Sequence, residues 1–216
     1  MTGRVDYRRH VDIRELAVPD TYVLDLVPHG DSRGRFVEWF RADVLSDVIG
    51  YPFPLAQANH SVSGRGALRG VHFSTVPPGQ AKYVYCPSGV ILDVILDIRV
   101  GSPTFGVHDS VLLDSEEPRA VFLSEGVGHA FLSLAPASSV AYLVSTPYAP
   151  EREFGIDPMD PELALPWPDD VEFELSAKDR AAPSFAEAQD RGLLPTMEQC
   201  AARYAELRNR APSSVR

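Results

Sequence analysis

The chain breaks into many short β-type segments, punctuated by scattered Pro and Gly, with no long helix between them. Ten such segments are predicted: Tyr22–Val27, Arg35–Trp39, Leu55–Ser63, Ala67–Phe73, Ala81–Cys86, Val90–Ile98, Gly106–Leu113, Ala120–Leu123, Ala130–Leu134 and Val140–Ser145. Short strands in uninterrupted succession pair antiparallel and close into a sandwich or jelly roll. Val90–Ile98 reads V-I-L-D-V-I-L-D-I. That nearly continuous apolar run fits a strand packed on both faces. Arg41–Ile49 is the one early helix, with Gly50 as its left-handed stop. Past Pro168 the pattern turns helical. Ser184 and Glu187 form a capping box whose helix stops near Gly192, and Thr196 and Gln199 form a second one. Met197, Cys200, Ala201, Tyr204 and Leu207 then share a helical face. The reading is a mainly β domain over residues 1–182, with short C-terminal helices over 183–216 as an extension of that domain. Ala211–Arg216 is expected to fray.

A length of 216 residues gives a core large enough to do without staples. Charged residues make up 23% and hydrophobic ones 44%, which excludes wholesale disorder. The net charge is −10. It argues against non-specific nucleic-acid binding and against anionic membranes, yet a few local cations could still hold an anionic substrate. Cys86 and Cys200 make no disulfide framework. No apolar run reaches the ~20 residues of a membrane span, and no apolar core follows the basic start of the chain. A cytoplasmic location is expected.

Of the six histidines (His10, His29, His60, His72, His108 and His129) His72 stands out. It lies in Leu68-Arg69-Gly70-Val71-His72-Phe73, where strict alternation puts Leu68, Gly70 and His72 on one face and Arg69, Val71 and Phe73 on the other. Lys82 opens a strand, and an inward lysine is costly unless it serves a ligand. Tyr142 sits among apolar strand residues. A jelly roll can gather such a base, cation and phenol in one cavity. The ordinary alternative is a satisfied core His, a snorkelling Lys and a core Tyr. No metal is expected: His72 lacks a second ligand nearby, Lys82 is a repelling cation, and His129 brings the imidazoles to two at most. Phosphate-loop, dinucleotide and nucleophile-elbow motifs are absent. Ser63-Gly-Arg-Gly66 reads as a turn.

Ten short motifs then occur in order: Asp31-Ser-Arg-Gly-Arg-Phe36-Val-Glu38, Gln57-Ala-Asn59-His-Ser61, Leu68-Arg-Gly-Val-His72, Gln80-Ala-Lys82, Asp97 through Gly106, Gly126-Val-Gly-His129-Ala-Phe131, Tyr142, Tyr148-Ala-Pro-Glu-Arg-Glu153, Pro166-Trp-Pro168 and Leu175-Ser-Ala-Lys-Asp179. On these the chain resembles the dTDP-4-dehydrorhamnose 3,5-epimerase family, of cupin-type double-stranded jelly-roll fold. Gly192-Leu-Leu-Pro-Thr196 and Val76-Pro-Pro-Gly-Gln80 are similar to its actinobacterial antibiotic-sugar branch, in which some members invert only C3 or only C5.

The resemblance implies an epimerase of a dTDP-4-keto-6-deoxyhexose. His72 would be the base, oriented by Asp179. Lys82 would stabilise the enolate, and Tyr142 would return a proton from the opposite face. No cofactor is implied, because the ketone is its own electron sink. Arg69 and Arg33 are implied pyrophosphate partners, with Arg33 and Glu38 crossing to a second subunit of a homodimer with shared sites. Gln57, Asn59 and Tyr148 are implied nucleotide and phosphate contacts, and Phe131 lines the sugar pocket. His129 is placed near the sugar by the resemblance, with a structural histidine as the competing reading. The alternatives are a C3-only or C5-only epimerase, a 3,4-ketoisomerase, and a non-catalytic sugar-nucleotide-binding cupin.

Overall fold

The computed structural model describes residues 11–210. His10 and the expected fraying of Ala211–Arg216 lie outside the described residues. In chain order the strands are β1 (Asp12–Glu15), β2 (Thr21–Asp25), β3 (Pro28–Asp31), β4 (Gly34–Val37), β5 (Gln57–Ser63), β6 (Leu68–Ser74) and β7 (Lys82–Ser88). They continue with β8 (Val90–Asp97), β9 (His108–Asp114), β10 (Arg119–Leu123), β11 (Val127–Ser133), β12 (Ser138–Val144) and β13 (Glu153–Gly155). The helices are α1 (Ala42–Ile49), α2 (Ala177–Arg180), α3 (Phe185–Asp190) and α4 (Met197–Arg210).

Two antiparallel sheets carry the fold, in the orders β1-β2-β10-β7-β12-β5 and β13-β6-β11-β8-β9. β3 and β4 pair separately as a hairpin. Between the sheets lies one core, where Val23, Val84 and Val121 meet Ile91, Ile95, Val111 and Phe131. This is the jelly roll expected from the strand pattern. The outer face of the first sheet is covered by Leu45 and Ile49 of α1, with Tyr51, Phe53 and Leu207. The outer face of the second is covered by Ile156, Leu163, Leu165, Ala188 and Leu194. β8 is accordingly buried on both faces, with Ile91 and Ile95 inward and Val94 and Leu96 outward.

All ten predicted strands form, with shifted ends. β1, β3 and β13 are additions; each has only three or four residues and none of these is buried. Such segments carry no period-2 pattern to read. α1 stops at Gly50, which has φ +81°. Both capping boxes form, Ser184 with Glu187 and Thr196 with Gln199. α4 runs 14 residues, so it is not short. Its buried stripe is Cys200, Tyr204 and Leu207, while Ala201 faces outward.

Strict alternation fails in β6. Leu68, Val71 and Phe73 pack outward, whereas Arg69 and His72 both face the cavity between the sheets. The β6–β11 register explains this. His129 pairs with His72 and Phe131 pairs with Arg69, so two steps on β11 oppose three on β6. The extra residue is a bulge that turns Arg69 back to His72's side. Gly70 permits it: its φ is +113°, and a Cβ there would lie 2.5 Å from the His129 carbonyl oxygen.

Candidate active site

The two sheets splay around a cavity of about 450 Å³. Its walls differ in chemistry. Gln57, Asn59 and Ser61 of β5, Lys82 of β7 and Tyr142 of β12 come from one sheet. Arg69 and His72 of β6, His129 and Phe131 of β11, and Glu153 of β13 come from the other. Asp179, on α2, closes the side beside β6.

Nε2 of His72 is 2.7 Å from Oδ1 of Asp179. That contact leaves Nδ1 as the nitrogen available to the cavity. Asp179 is only 5% exposed. Its Oδ2 accepts a hydrogen bond from Ser176 Oγ at 2.8 Å, and Ser176 Oγ in turn caps α2 by accepting from the Asp179 N–H. Burial alone would raise the Asp179 carboxyl, but the bonds to His72 and Ser176 overcome it and hold it below the ordinary carboxylate range. Asp179 is therefore an anion fixed behind an imidazole.

Lys82 is 9% exposed. Burial pulls its ammonium below the usual lysine range, opposed by the carboxylates of Glu153 and Asp93. Tyr142 has its phenol pushed up by burial, with Arg69 opposing and Glu153 adding. It is therefore a neutral proton donor at ordinary pH. Arg69 is held by its Nε–H to Ser63 Oγ at 3.1 Å. Gln57 donates to Asn59 Oδ1 at 2.6 Å and accepts from the Tyr148 N–H at 3.2 Å, which ties the rim together. The Tyr148 ring stands 59% exposed at that rim.

Ten of the twelve residues singled out from the sequence line this one cavity. The other two, Arg33 and Glu38, do not. Arg33 projects from the β3–β4 hairpin, paired with Asp31 on an 87% exposed side chain. Glu153, Lys178, Gln80, Ser61 and Ser176 also reach the cavity; all five lie inside the quoted motifs, which is the signal that could have found them. Asp93 was overlooked altogether. Its Oδ1 lies 2.6 Å from Nε2 of His129. A charged residue interrupting the apolar run of β8 was the available clue. The Asp97–Gly106 motif instead builds a buried knot. Arg99 is fully buried and donates to Asp97 at 2.9 Å, and Asp97 also accepts from Ser102 and Thr104. Among the described residues, no three His, Cys, Asp or Glu side chains are grouped to hold a metal ion.

The sequence profile described as dTDP-4-dehydrorhamnose 3,5-epimerase matches residues 15–187. A dTDP-4-dehydrorhamnose 3,5-epimerase of Mycolicibacterium smegmatis is 51% identical over 195 residues, covering 90% of this chain and 96% of that protein. A dTDP-4-dehydro-6-deoxyglucose 3-epimerase of Streptomyces bikiniensis is 48% identical over 183 residues, covering 85% and 93%. Among solved structures, the 3'-monoepimerase of Streptomyces bikiniensis in complex with dTDP-quinovose superimposes with a TM-score of 0.88 at 46% identity, covering 90% of this chain and 98% of that one. The rmlC epimerase of Mycobacterium tuberculosis gives 0.89 at 47%, covering 91% and 100%. With a profile matched over most of its length and close relatives matched nearly end to end, this chain belongs to the dTDP-4-dehydrorhamnose 3,5-epimerase family.

Proposed function

We propose that the protein is an isomerase that inverts C3, C5 or both of a dTDP-4-keto-6-deoxyhexose in deoxysugar biosynthesis. One observation carries the reading. The His72–Asp179 pair lies on one wall of the cavity, and Tyr142 with Lys82 lies on the other. A sugar ring between the walls meets a base on one face and an acid on the other.

The chemistry then runs in two proton transfers. Nδ1 of His72 takes the hydrogen on the carbon next to the ketone, and Asp179 stabilises the imidazolium that forms. The electron pair moves onto O4, where the buried Lys82 ammonium meets it. Tyr142 delivers a proton to the opposite face, and the carbon is inverted. The ketone itself serves as electron sink, so the step needs no further cofactor. Arg69 takes the pyrophosphate, for which a guanidinium fork is suited. Gln57, Asn59 and Tyr148 engage the nucleotide, while Phe131 and His129 border the sugar. Arg33 and Glu38 complete the site of a second copy in a homodimer, in keeping with a hairpin that extends away from its own cavity.

The test is turnover of dTDP-4-keto-6-deoxyglucose followed by NMR of the sugar. The expected product keeps its ketone at C4 and has an inverted neighbour. A ketone found at C3 marks a 3,4-ketoisomerase. Binding of the nucleotide sugar without turnover marks a non-catalytic cupin. Either result overturns the reading.

A further inference from the structure

Asp93 interrupts the inner row of β8 between Ile91 and Ile95, both fully buried in the core between the sheets. Asp93 is itself 0% exposed. A carboxylate in that setting is costly unless hydrogen bonds and opposite charge compensate it. Only half of it is compensated by hydrogen bonding. Oδ1 contacts Nε2 of His129 at 2.6 Å, while Oδ2 is buried without a hydrogen-bond partner. Asp179, by comparison, has both oxygens engaged, one by His72 and one by Ser176. A buried polar atom left open in a native fold asks for a functional account.

The site therefore holds two imidazole–carboxylate pairs. His72 and His129 stand directly opposite each other in the β6–β11 ladder. Each gives Nε2 to its carboxylate, and so each leaves Nδ1 for the cavity. What distinguishes the second pair is the open oxygen on a fully buried carboxylate. Lys82 is buried, and Asp93 is one of two carboxylates whose charge favours its ammonium form.

We propose that Asp93 is a positioning residue that locks His129 with Nδ1 toward the substrate. That His129 meets the sugar rests on the epimerase reading; the lock itself does not. Other charges act on the same cavity. Arg69 and His72 face it from β6, Tyr142 from β12 and Glu153 from β13, with Lys178 and Asp179 from α2. Cys86 is buried on β7, its thiol pushed up to about 11 by burial first. Of these, Glu153 favours the ammonium form of Lys82, ahead of Asp93. Glu153 is partly buried and accepts from Gln80 Nε2 at 3.3 Å.

Asp93→Asn keeps the shape of the side chain and can still accept from Nε2–H, but it removes the charge. With dTDP-4-keto-6-deoxyglucose, kcat should fall about 10-fold or more at pH 8 while dTDP affinity is unchanged. Asp93→Leu removes the acceptor as well, and the ¹⁵N signals of His129 should then no longer place its proton on Nε2 alone. Undiminished kcat in Asp93→Asn, or His129 signals unchanged in Asp93→Leu, overturns the proposal, since a packing role would leave the tautomer where it was. If the variant does not fold, NMR of the unaltered protein decides. At pH 7 the ¹³C carboxyl signal of Asp93 should be that of a carboxylate, and the ¹⁵N signals of His129, assigned with His129→Gln, should place a proton on Nε2. A protonated Asp93, or a neutral His129 carrying its proton on Nδ1, overturns it. The NMR test needs no substrate. Failure of the epimerase reading shows separately, as an unaltered protein without turnover.

Discussion

On the proposed mechanism, each reacting residue is set by its surroundings. His72 has Asp179 behind it, Lys82 is held in a largely buried position, and the Tyr142 phenol stays protonated because burial raises it. Opposite roles for Lys82 and Tyr142 give opposite signatures. In Tyr142→Phe, His72 still removes the α-hydrogen, so solvent deuterium enters C3 or C5 while net inversion falls steeply. In Lys82→Met the enolate is unsupported, and exchange and inversion fall together, by about 10²-fold or more. Proton NMR in deuterated buffer reads both; equal loss of the two signals in Tyr142→Phe would contradict the division of roles. Asp179 makes a second prediction. Its folded pKa is lowered, so its contribution to stability is fully present above the ordinary carboxylate value of about 3.9 and is lost as pH falls through the folded value. The difference in urea midpoint between the unaltered protein and Asp179→Asn should therefore hold steady from pH 7 to pH 5 and shrink below pH 4. A difference that is flat down to pH 3 would contradict the pairing. His72, Lys82 and Tyr142 were legible in the sequence because polar groups at strand positions have to be explained. Asp93 was not, because a strand reading of Val90–Ile98 weighs the apolar majority and passes over the exception.

At the scale of elements, the bulge in β6 and the latch on α4 do the positioning. The bulge puts Arg69 and His72 on one face, which alternation alone cannot do. A one-residue register shift is invisible in a single sequence, although Gly70 between two functional residues is its trace. Gly70→Ala should cost on the order of 2 kcal/mol or more, since its Cβ meets the backbone of His129 and Ala130 at a positive φ. Activity should fall further than stability accounts for, because both Arg69 and His72 shift. Thermal melting beside kcat/KM checks this, and a variant with normal kcat/KM would show that the bulge does not set the site. The C-terminal helix is held by Tyr204, whose hydroxyl donates to the Glu125 carbonyl and hydrogen-bonds the Ser124 hydroxyl at 3.0 Å. The capping box of Thr196 and Gln199 made its start readable, whereas its exposed far side carried no signal of where it would pack.

For the molecule as a whole, the jelly roll followed from the strand succession, and the hairpin did not. β3 and β4 are short, and Phe36 on them is 63% exposed. An aromatic and an arginine held out from their own cavity fit a partner subunit. Light scattering at micromolar concentration should give a dimer, with an interface of ~2,000 Å² or more, and Arg33→Ala should raise KM without unfolding the chain. A fully active monomer would contradict the shared site. The central claim is that His72 removes the hydrogen beside the ketone. The most direct measurement is deuterium uptake by dTDP-4-keto-6-deoxyglucose in deuterated water, with the unaltered protein beside His72→Ala. Uptake at C3, C5 or both that vanishes in His72→Ala, by about 10²-fold or more, while dTDP still binds, is the predicted result. Undiminished uptake in the variant would contradict it.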